Sequence, residues 1–491
     1  MPPAPPPFTP RGHAGGMRCC LTAAPALLTA AASASLRRRT ASWRPPHPDA
    51  VAAVHLELVT LTEDSAVITW YTGVPGTDDG TGAMLPAPTE GEVDWGTHPA
   101  RLDRTAYGDD GPTAHHHVEL TGLEPGRTYW YRARSRGAAA APTPLHLVGG
   151  NAVGTSPYGL GDGGPYAFTT PQPPPGSFLL AVALCNDLHL GEVRAGLVAG
   201  VPLLRGVGQD AGLAPYPQIM SRALAEDARL RGADYLLAAG DLTAGGSAAD
   251  LDEAKGILDG FGRRGEDWFA VRGNHDRAAA PGAGPFADGP GWFDHDLHGL
   301  RVIGLHTYDK PGNGGDAGGL SPEQMSWLRA RLRDHADQPT VVFGHHPPAV
   351  PDSPFPVTGG QRLDRRQARA LLDGYAAAPG VFLHHAGHTH RNKRTVLPAA
   401  PGVTFQEVGA VKEYPGGFCL LRVHTGGYAL NFYKTRGAAA RRWSERSRRV
   451  AAGLWPQFAF GRGVADRNSV TARDLSGIRA PGRRRAAAVT A

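Results

Sequence analysis

The stretch FLLAVALCNDLH, residues 178–189, joins a short apolar run to an Asp-x-His pair. An uninterrupted apolar run of this length is typical of a strand that is buried on both faces. Apolar runs followed by polar clusters recur four more times between residues 235 and 390. Those clusters are Gly240-Asp241, Gly273-Asn274-His275-Asp276, Gly344-His345-His346-Pro347 and Gly387-His388-Thr389-His390.

The segments between several of these clusters have helical patterns. In residues 321–332, Ser321 supplies an N-cap, Pro322 suits the first helical position, and Leu328 and Leu332 lie at helical spacing. Strands that alternate with helices favour an α/β architecture. Because α/β sheets place their sites beyond the carboxyl ends of the strands, we expect the five polar clusters to converge on one rim.

The clusters offer carboxylate, amide and imidazole groups, which are ligand types that suit Mn, Fe, Zn or Co ions. The candidate metal ligands are Asp187, His189, Asp241, Asn274, His345, His388 and His390. A tetrahedral zinc ion takes four ligands, so seven ligands indicate two ions that share a bridging carboxylate. The set contains no cysteine, which argues against a thiolate-rich zinc or iron–sulfur site.

Two ions held about 3.5–4 Å apart suit hydrolysis, because they lower the pKa of a bound water to roughly 7 and clamp phosphoryl oxygens. The expected reaction is in-line attack of a metal hydroxide on phosphorus. The leaving oxygen then needs a proton donor. His275 directly follows Asn274, and Asp276 is in a position to orient it, so these two are the candidate catalytic residues. His346 and Arg391 flank ligand clusters and are candidates for either substrate contact or a structural role.

These motifs resemble those of the calcineurin-like metallophosphoesterase superfamily: Asp-x-His, Gly-Asp, Gly-Asn-His-Asp/Glu, a later His and Gly-His-x-His. The resemblance covers residues 178–435 and includes every metal position. It implies a four-layer αββα sandwich, a bridging role for Asp241 and a role for His275 in protonating or orienting the leaving group. The ligands implied for the first metal are Asp187, His189, Asp241 and His390. The ligands implied for the second metal are Asp241, Asn274, His345 and His388.

The N-terminal half has β patterns instead. Residues 54–59 and 66–71 read as strands, and residues 118–132 read as a strand, a turn and a second strand. The unit from residue 52 to residue 171 has a length that suits a β-sandwich. It is similar to the fibronectin type III-like domain that precedes the catalytic domain of purple acid phosphatases. The expected fold is therefore an all-β sandwich followed by the α/β domain.

The catalytic half departs from the purple acid phosphatases at two motifs. Those enzymes carry Gly-Asp-x-x-Tyr, whose tyrosine binds ferric iron, but Ala244 occupies that position here. Their Asp-x-Gly is replaced by Asp187-Leu188-His189. The chain is therefore more similar to the cyclic-nucleotide phosphodiesterase-like branch, and we expect no tyrosinate-to-iron absorption band.

The two ends of the chain differ from the predicted domains. Residues 1–51 fit either a targeting segment or a disordered extension, so cytoplasmic and secreted locations both stay open. Residues 436–491 contain 13 Arg and 3 acidic residues, a net charge of +10 in a chain whose total is +5. This basic segment is expected to be a solvated tail, and it is not evidence of a nucleic-acid groove. No apolar run reaches the roughly 18 residues of a membrane span.

The predicted function is hydrolysis of phosphomonoesters or phosphodiesters with two divalent or trivalent ions (Mn, Fe or Zn) as cofactors. The substrate class is a small phosphate ester, such as a nucleotide, and the oligomeric state stays open. One alternative is a nuclease of the same superfamily, although no basic stripe with interleaved aromatic residues accompanies the motifs. The other alternative is a non-catalytic metal-binding scaffold or adhesion protein. Residues 412–417 either line the site or form an ordinary turn, and Cys185 and Cys419 are expected to be buried free thiols.

Overall fold

The computed structural model describes most of the chain from residue 50 to residue 482. The described residues are 50–77, 83–108, 111–142, 146–147, 151–152, 163–197, 205–278, 286, 289–310, 315–348 and 362–482. The predicted targeting or disordered extension at residues 1–51 lies almost wholly outside them. Among the described helices, none is long and apolar enough to cross a membrane.

The N-terminal unit consists of two antiparallel sheets around one core. The first sheet contains, in spatial order, β1 (Ala52–Leu61), β2 (Ala66–Gly73) and β5 (His115–Leu120). The second contains β10 (Tyr166–Thr169), β6 (Thr128–Ser135), β3 (Gly91–Gly96) and β4 (Arg104–Tyr107), and β7 (Ala138–Ala139) pairs with β6. Short strands β8 (His146–Leu147) and β9 (Asn151–Ala152) pair with each other. Inward residues of both sheets, including Trp70, Val93, Tyr131 and Phe168, share one buried cluster, which confirms the expected sandwich.

Six strands form the first sheet of the second domain. In spatial order they are β15 (Trp268–Val271), β14 (Tyr235–Ala239), β11 (Phe178–Cys185), β22 (Gly417–His424), β23 (Gly427–Lys434) and β24 (Asn468–Ala472). Strands β11, β14 and β15 are parallel, whereas β22 is antiparallel to β11. Every residue of β14 is buried, as expected for an apolar strand of a sheet that is covered on both faces.

Six further strands form the second sheet. In spatial order they are β16 (Phe293–Leu297), β17 (Leu300–Leu305), β18 (Thr340–Gly344), β19 (Val381–Ala386), β21 (Ala400–Glu407) and β20 (Lys393–Leu397). The four central strands run parallel. Leu184 and Leu237 of the first sheet belong to the same buried cluster as Phe343 and Phe382 of the second. The two sheets therefore pack face to face.

Helices cover the outer faces of both sheets. Helices α1 (Tyr216–Leu230) and α2 (Ala248–Asp259) lie on the first sheet, and α3 (Pro322–Asp334) and α4 (Arg365–Ala376) lie on the second. The Ser321 hydroxyl accepts a hydrogen bond from the Gln324 amide at 3.2 Å, which confirms the predicted N-cap. The chain also forms the hairpin β12 (Arg194–Leu197) and β13 (Arg205–Gly208). These layers confirm the αββα architecture.

The expectation of a solvated C-terminal tail is wrong for residues 436–482. This segment forms α5 (Ala438–Ser447), α6 (Trp455–Ala459) and β24, which extends the first sheet by pairing with β23. Trp443 is 1 % exposed and stacks on Tyr216 with ring centroids 4.0 Å apart. The prediction inferred solvent exposure from the high net charge of the segment. Several of its arginines are instead paired inside the protein, as Arg448 is with Glu57.

The sandwich packs against the second domain through buried polar contacts. Glu57 of β1 receives hydrogen bonds from Lys434, from Arg448 and from the Tyr414 hydroxyl, the last at 2.6 Å. The Asn468 side chain donates to the Val59 carbonyl at 3.0 Å. Hydrogen bonds and ion pairs thus join the sandwich domain, including β1, to the second domain and to its C-terminal segment. The predicted buried free thiols, Cys185 and Cys419, are confirmed.

Candidate metal centre

The five polar clusters lie at the carboxyl ends of five strands, drawn from both sheets. Asp187, Asp241 and Asn274 follow β11, β14 and β15 of the first sheet. His345 follows β18 and His388 follows β19 of the second sheet. The two sheets face each other, so their rims meet and bring side chains separated by about 200 residues of sequence into one cluster.

Five of the seven candidate ligands have left-handed backbone conformations. Their φ angles are 55° at Asp187, 51° at His189, 50° at Asp241, 65° at His388 and 54° at His390. Such conformations are uncommon outside glycine and each costs on the order of 1–3 kcal/mol. Backbone hydrogen bonds hold the turns together: the Asp187 amide donates to the Gly240 carbonyl at 3.0 Å, and the His189 amide donates to the Asp241 carbonyl at 3.0 Å. Strain of this kind concentrates at functional sites.

Asp187, His189 and His390 form one half of the cluster. Asp187 Oδ1 lies 3.1 Å from His390 Nε2 and 3.6 Å from His189 Nε2. Asp187 Oδ1 and His189 Nε2 are both buried without a hydrogen-bond partner. Buried polar atoms are nearly always satisfied, so two unpartnered lone-pair atoms that face each other fit a bound cation.

Asp241, Asn274, His345 and His388 form the other half. His345 Nε2 lies 3.0 Å from Asp241 Oδ2, 3.1 Å from Asn274 Oδ1 and 3.2 Å from His388 Nδ1. His345 Nδ1 lies 2.8 Å from the Ala239 carbonyl oxygen. A carbonyl oxygen only accepts, so Nδ1 carries the proton and the Nε2 lone pair of neutral His345 faces this group. Carboxylate and amide oxygen atoms and imidazole nitrogen atoms therefore converge in this second half of the cluster as well.

Asp241 lies between the two halves. Its Oδ2 atom is 3.5 Å from His189 Nε2 and 3.0 Å from His345 Nε2. Sets of three potential ligands include Asp187-His189-His390 on one side and Asp187-Asp241-His345 on the other, each with ligand atoms within 4.8 Å of one another. This position suits a carboxylate that bridges two ions.

The carboxylates of the cluster are strongly stabilised as anions. Burial opposes ionisation, but His390 and His345 hold the pKa of Asp187 well below its usual range, and His345 and His189 do the same for Asp241. Burial likewise disfavours charged imidazoles, yet Asp241 and Asp187 raise the pKa of His345 to about 9, and Asp187 and Glu413 raise that of His390 to about 10. The cluster therefore attracts positive charge, which protons or metal ions can supply.

His275 lies at the edge of the cluster with an exposed side chain. Its ring is 4.6 Å from that of His189, and its Nδ1 atom lies 2.9 Å from the Ala244 carbonyl oxygen. Nδ1 therefore carries the proton in the neutral ring and leaves Nε2 free to accept one. Desolvation lowers the pKa of His275, with the nearby Asp241 opposing that shift.

The expected orientation of His275 by Asp276 is wrong, because the carbonyl of Ala244 holds the ring. The buried Asp276 carboxylate instead accepts hydrogen bonds from the amides of Leu242, Thr243 and Gly273 and from the Thr243 hydroxyl. Burial and the neighbouring Asp241 raise the pKa of Asp276 to about 6. Asp276 thus joins the loop of Asp241 to the loop of Asn274.

The two candidate substrate contacts are occupied by protein groups. His346 is buried, with Nδ1 2.8 Å from the Thr307 hydroxyl and Nε2 2.9 Å from the Asp316 carbonyl. Arg391 is 5 % exposed, and its guanidinium donates to both carboxylate oxygens of Glu407, at 2.9 and 3.1 Å. These contacts favour the structural role that the sequence left open for both residues.

Residues 412 and 413 line the site, which decides between the two alternatives for that segment. Glu413 Oε1 lies 2.9 Å from His390 Nδ1. Glu192 Oε2 lies 3.3 Å from His189 Nδ1 and also accepts from Lys412 Nζ. Sequence reasoning did not identify Glu192, although its position three residues after His189 was a usable signal. Burial opposes the charge on Glu413, but Lys412 and His390 lower its pKa.

Comparison with protein families gives two matches. Residues 180–392 match the family described as calcineurin-like phosphoesterase, and residues 51–144 match the purple acid phosphatase N-terminal domain. The two matched regions lie on opposite sides of residue 145, in the order expected from the motifs.

Two curated relatives and two solved structures are similar to the chain. A "Probable cyclic nucleotide phosphodiesterase" of Synechococcus sp. is 28 % identical over 216 residues, which cover 43 % of this chain and 74 % of the relative. A "Probable glycerophosphodiester phosphodiesterase" of Arcobacter nitrofigilis is 28 % identical over 184 residues, which cover 34 % of this chain and 62 % of the relative.

Among solved structures, a dimetal phosphatase from Danio rerio has a TM-score of 0.42 at 16 % identity, and the match covers 53 % of this chain and 98 % of the phosphatase chain. A purple acid phosphatase from yellow lupin has a TM-score of 0.39 at 16 % identity, with 89 % and 78 % covered.

Proposed function

We propose that this chain, which carries a calcineurin-like metallophosphoesterase domain behind a purple acid phosphatase-type N-terminal domain, hydrolyses phosphate esters at a dinuclear metal centre. The observation that carries the proposal is the convergence of seven oxygen and imidazole ligands on two adjoining groups that share Asp241. Two unpartnered buried atoms at this point, Asp187 Oδ1 and His189 Nε2, support occupation by a cation.

The proposed ligand sets follow the two halves of the cluster. Asp187, His189, Asp241 and His390 would hold the first ion. Asp241, Asn274, His345 and His388 would hold the second. The donor types suit Mn, Fe or Zn. When bound, two such ions supply water activation and neutralisation of phosphoryl oxygen charge.

His275 is the proposed proton donor to the leaving oxygen. Its Nδ1–H is held by the Ala244 carbonyl, so Nε2 is the atom that takes up and gives back a proton. The exposed position of the ring gives it access to substrate and solvent. A positioned general acid contributes about 10²–10⁴-fold to the rate.

Phosphodiesters are the substrate class that we favour. Both curated relatives are named as phosphodiesterases, one for cyclic nucleotides and one for glycerophosphodiesters. The Asp-x-His motif and Ala244 are the features that already separated this chain from the purple acid phosphatase pattern. A small diester such as a cyclic nucleotide is therefore the proposed substrate.

The test compares hydrolysis of bis-p-nitrophenyl phosphate and p-nitrophenyl phosphate by metal-free protein reloaded with Mn²⁺, Zn²⁺ or Fe²⁺. We expect metal-dependent turnover with a higher kcat/KM for the diester. Asn274→Ala should lose turnover together with metal affinity. His275→Ala should lose about 10²–10⁴-fold in kcat while it keeps two ions per chain.

His98→Ala provides the matched control, since His98 is an exposed histidine of the sandwich domain. Its kcat should equal that of the wild type. Failure of the wild type to bind metal would overturn the proposal. Binding of two ions without turnover of either ester would instead favour the scaffold alternative, and cleavage restricted to single-stranded DNA would favour the nuclease.

A further inference from the structure

Both histidines of the first proposed metal group are backed by carboxylates. His390 Nδ1 lies 2.9 Å from Glu413 Oε1, and His189 Nδ1 lies 3.3 Å from Glu192 Oε2. Since a carboxylate accepts, each Nδ1 carries the proton in these contacts. In the neutral rings, which are the forms that bind metal, the Nε2 lone pairs then face Asp187, from which the Nε2 atoms are 3.1 and 3.6 Å distant.

The second proposed metal group is built differently. His345 donates from Nδ1 to a backbone carbonyl, that of Ala239, at 2.8 Å. His388 approaches His345 through Nδ1, the ring nitrogen that faces the group, at 3.2 Å. The outer ring nitrogen of His345 is therefore bound by a backbone carbonyl and not by a carboxylate.

Lys412 holds Glu192 in place and directly precedes Glu413 in the chain. Its Nζ atom donates to Glu192, and its amide donates to the Asp187 carbonyl at 3.1 Å. Lys412 is 4 % exposed and Glu413 is 2 % exposed. Burial of charged groups is costly unless they are paired, so two charged side chains at this depth, paired with the partly exposed Glu192 and with His390, indicate a functional role.

The neighbouring residues fix this segment from outside the metal cluster. The Trp443 indole donates to the Lys412 carbonyl at 2.6 Å, and the Tyr414 amide donates to the Ser447 hydroxyl at 2.8 Å. Both anchors belong to α5, in the segment that sequence reasoning took for a tail. Glu413 therefore approaches His390 from a rigid support.

We propose that Glu413 and Glu192, coupled through Lys412, are positioning residues that fix His390 and His189 with Nε2 towards the first metal ion. A carboxylate that accepts the outer N–H of a ligating histidine fixes its tautomer and ring orientation and raises its basicity. This inference rests on the proposed function, since it assigns a role in the same centre.

The test is titration of metal-free full-length protein with Mn²⁺ by isothermal calorimetry. Wild type should bind two ions. Glu413→Ala should weaken one of the two sites by about 10–100-fold and leave the other unchanged, in the range found when such outer partners are removed. Glu413→Gln should keep most of the affinity, because its amide oxygen still accepts from His390 Nδ1.

Glu63→Ala is the matched control. Glu63 is also a poorly exposed carboxylate that is paired with a cation, and that cation, Arg422, is not one of the candidate ligands. This variant should bind two Mn²⁺ ions as the wild type does. If Glu413→Ala fails to fold, Glu192→Ala tests the same inference at His189, with a selective loss at one site expected.

Unchanged binding at both sites in Glu413→Ala and Glu192→Ala would overturn the inference and leave the proposed function intact. An equal loss at both sites would also overturn it, because that result indicates general damage to the cluster. Absence of Mn²⁺ binding by the wild type would overturn the proposed function as well. The two failures are therefore distinguishable.

Discussion

At the scale of single residues, the glycines of the motifs are as informative as the ligands. A Cβ atom at Gly273 would lie 2.1 Å from Asp241 Oδ1 and 2.6 Å from its amide nitrogen. A Cβ atom at Gly240 would lie 2.8 Å from His345 Cβ, and φ there is +84°. The Gly-Asp and Gly-Asn pairs thus exist because the loops that carry Asp241 and Asn274 pass in direct contact.

Gly273→Ala should displace the Asp241 carboxylate, because the contacted atoms include the backbone as well as the side chain. We expect a loss of about 10²-fold in kcat/KM, as misplacement of a reacting group by about 1 Å can cause. Weaker Mn²⁺ binding in a calorimetric titration should accompany it. Gly245→Ala is the control, since a Cβ there meets nothing within 4 Å. Equal activity of the two variants would contradict this account.

At the scale of secondary-structure elements, α5 supports the catalytic domain from a segment with a strongly basic sequence. Trp443 packs on Tyr216 of α1 and donates to the Lys412 carbonyl. Ser444 donates to the Pro415 carbonyl at 2.9 Å. The helix therefore connects the outer helical layer to the segment beside the metal cluster.

Trp443→Phe should destabilise the protein by about 1–3 kcal/mol, because it keeps an aromatic ring but leaves the buried Lys412 carbonyl without its donor. The free energy of unfolding in urea measures this. Arg442→Ala on the same helix is the control: Arg442 is 56 % exposed and pairs with Asp210, so its loss should cost less than about 1 kcal/mol. A smaller cost for Trp443→Phe than for Arg442→Ala would refute the assigned role.

At the scale of the whole molecule, the sandwich and the catalytic domain share a buried charged interface. Glu57 contacts Lys434, Arg448 and Tyr414, and Tyr414 directly follows Glu413. His55 Nδ1 lies 2.5 Å from Glu445 Oε1 in α5. The N-terminal domain therefore touches the same segment that contributes Glu413 to the metal cluster.

Glu57→Gln removes the carboxylate that pairs with both Lys434 and Arg448 in a poorly exposed position. Removal of one partner of a buried ion pair costs about 3–5 kcal/mol, so the unfolding free energy should fall by that amount. Glu92→Gln, in the same domain, removes a partly exposed contact with Arg134 and should cost at most about 1 kcal/mol. An equal loss of unfolding free energy in the two variants would show that the Glu57 ion pairs do not stabilise the interface.

The protein should also lose stability in acid. The pKa of Glu445 is lowered from 4.5 to about 2, since His55 and Arg448 outweigh the effect of burial, and its stabilising contribution is present above pH 4.5 and lost as the pH falls towards 2. Burial lowers the pKa of His116 and His117 to about 3. Unfolded histidines take up protons below about pH 6.5, so these rings remove stability over the range from 6.5 down to 3.

The unfolding free energy should therefore decrease below about pH 6.5 and decrease more steeply below about pH 4.5. Urea unfolding of the metal-free protein at a series of pH values measures this profile. His117→Leu should flatten the profile between about pH 6.5 and pH 3, whereas the additional steepening below about pH 4.5 should remain. A constant stability between pH 7 and pH 4 would show that these groups do not contribute.

Much of this protein was predictable from local sequence. A buried strand is an uninterrupted apolar run, and the chain direction places the residues that follow at its carboxyl end, so Asp187, Asp241, Asn274, His345 and His388 could be assigned to one rim before the fold was known. The β patterns before residue 171 and the α/β patterns after residue 178 predicted the two fold classes, and the resemblance of the motifs to a known superfamily implied the four-layer αββα arrangement. These features depend on neighbours in sequence, and neighbours in sequence are visible without a structure.

The tertiary structure alone decided what depends on distant partners. Only the structure shows that Glu413 pairs with His390 and that Arg391 pairs with Glu407. It also shows that His275 Nδ1 contacts the Ala244 carbonyl oxygen and not the Asp276 carboxylate. The tertiary structure also places the basic C-terminal segment in the first sheet and beside the candidate metal centre. The free-energy cost of burying an arginine depends on whether a buried carboxylate or carbonyl is available to pair with it, and local sequence does not show this. The sequence determines where ligands lie along the chain, whereas only packing between remote segments determines which groups hold those ligands in place.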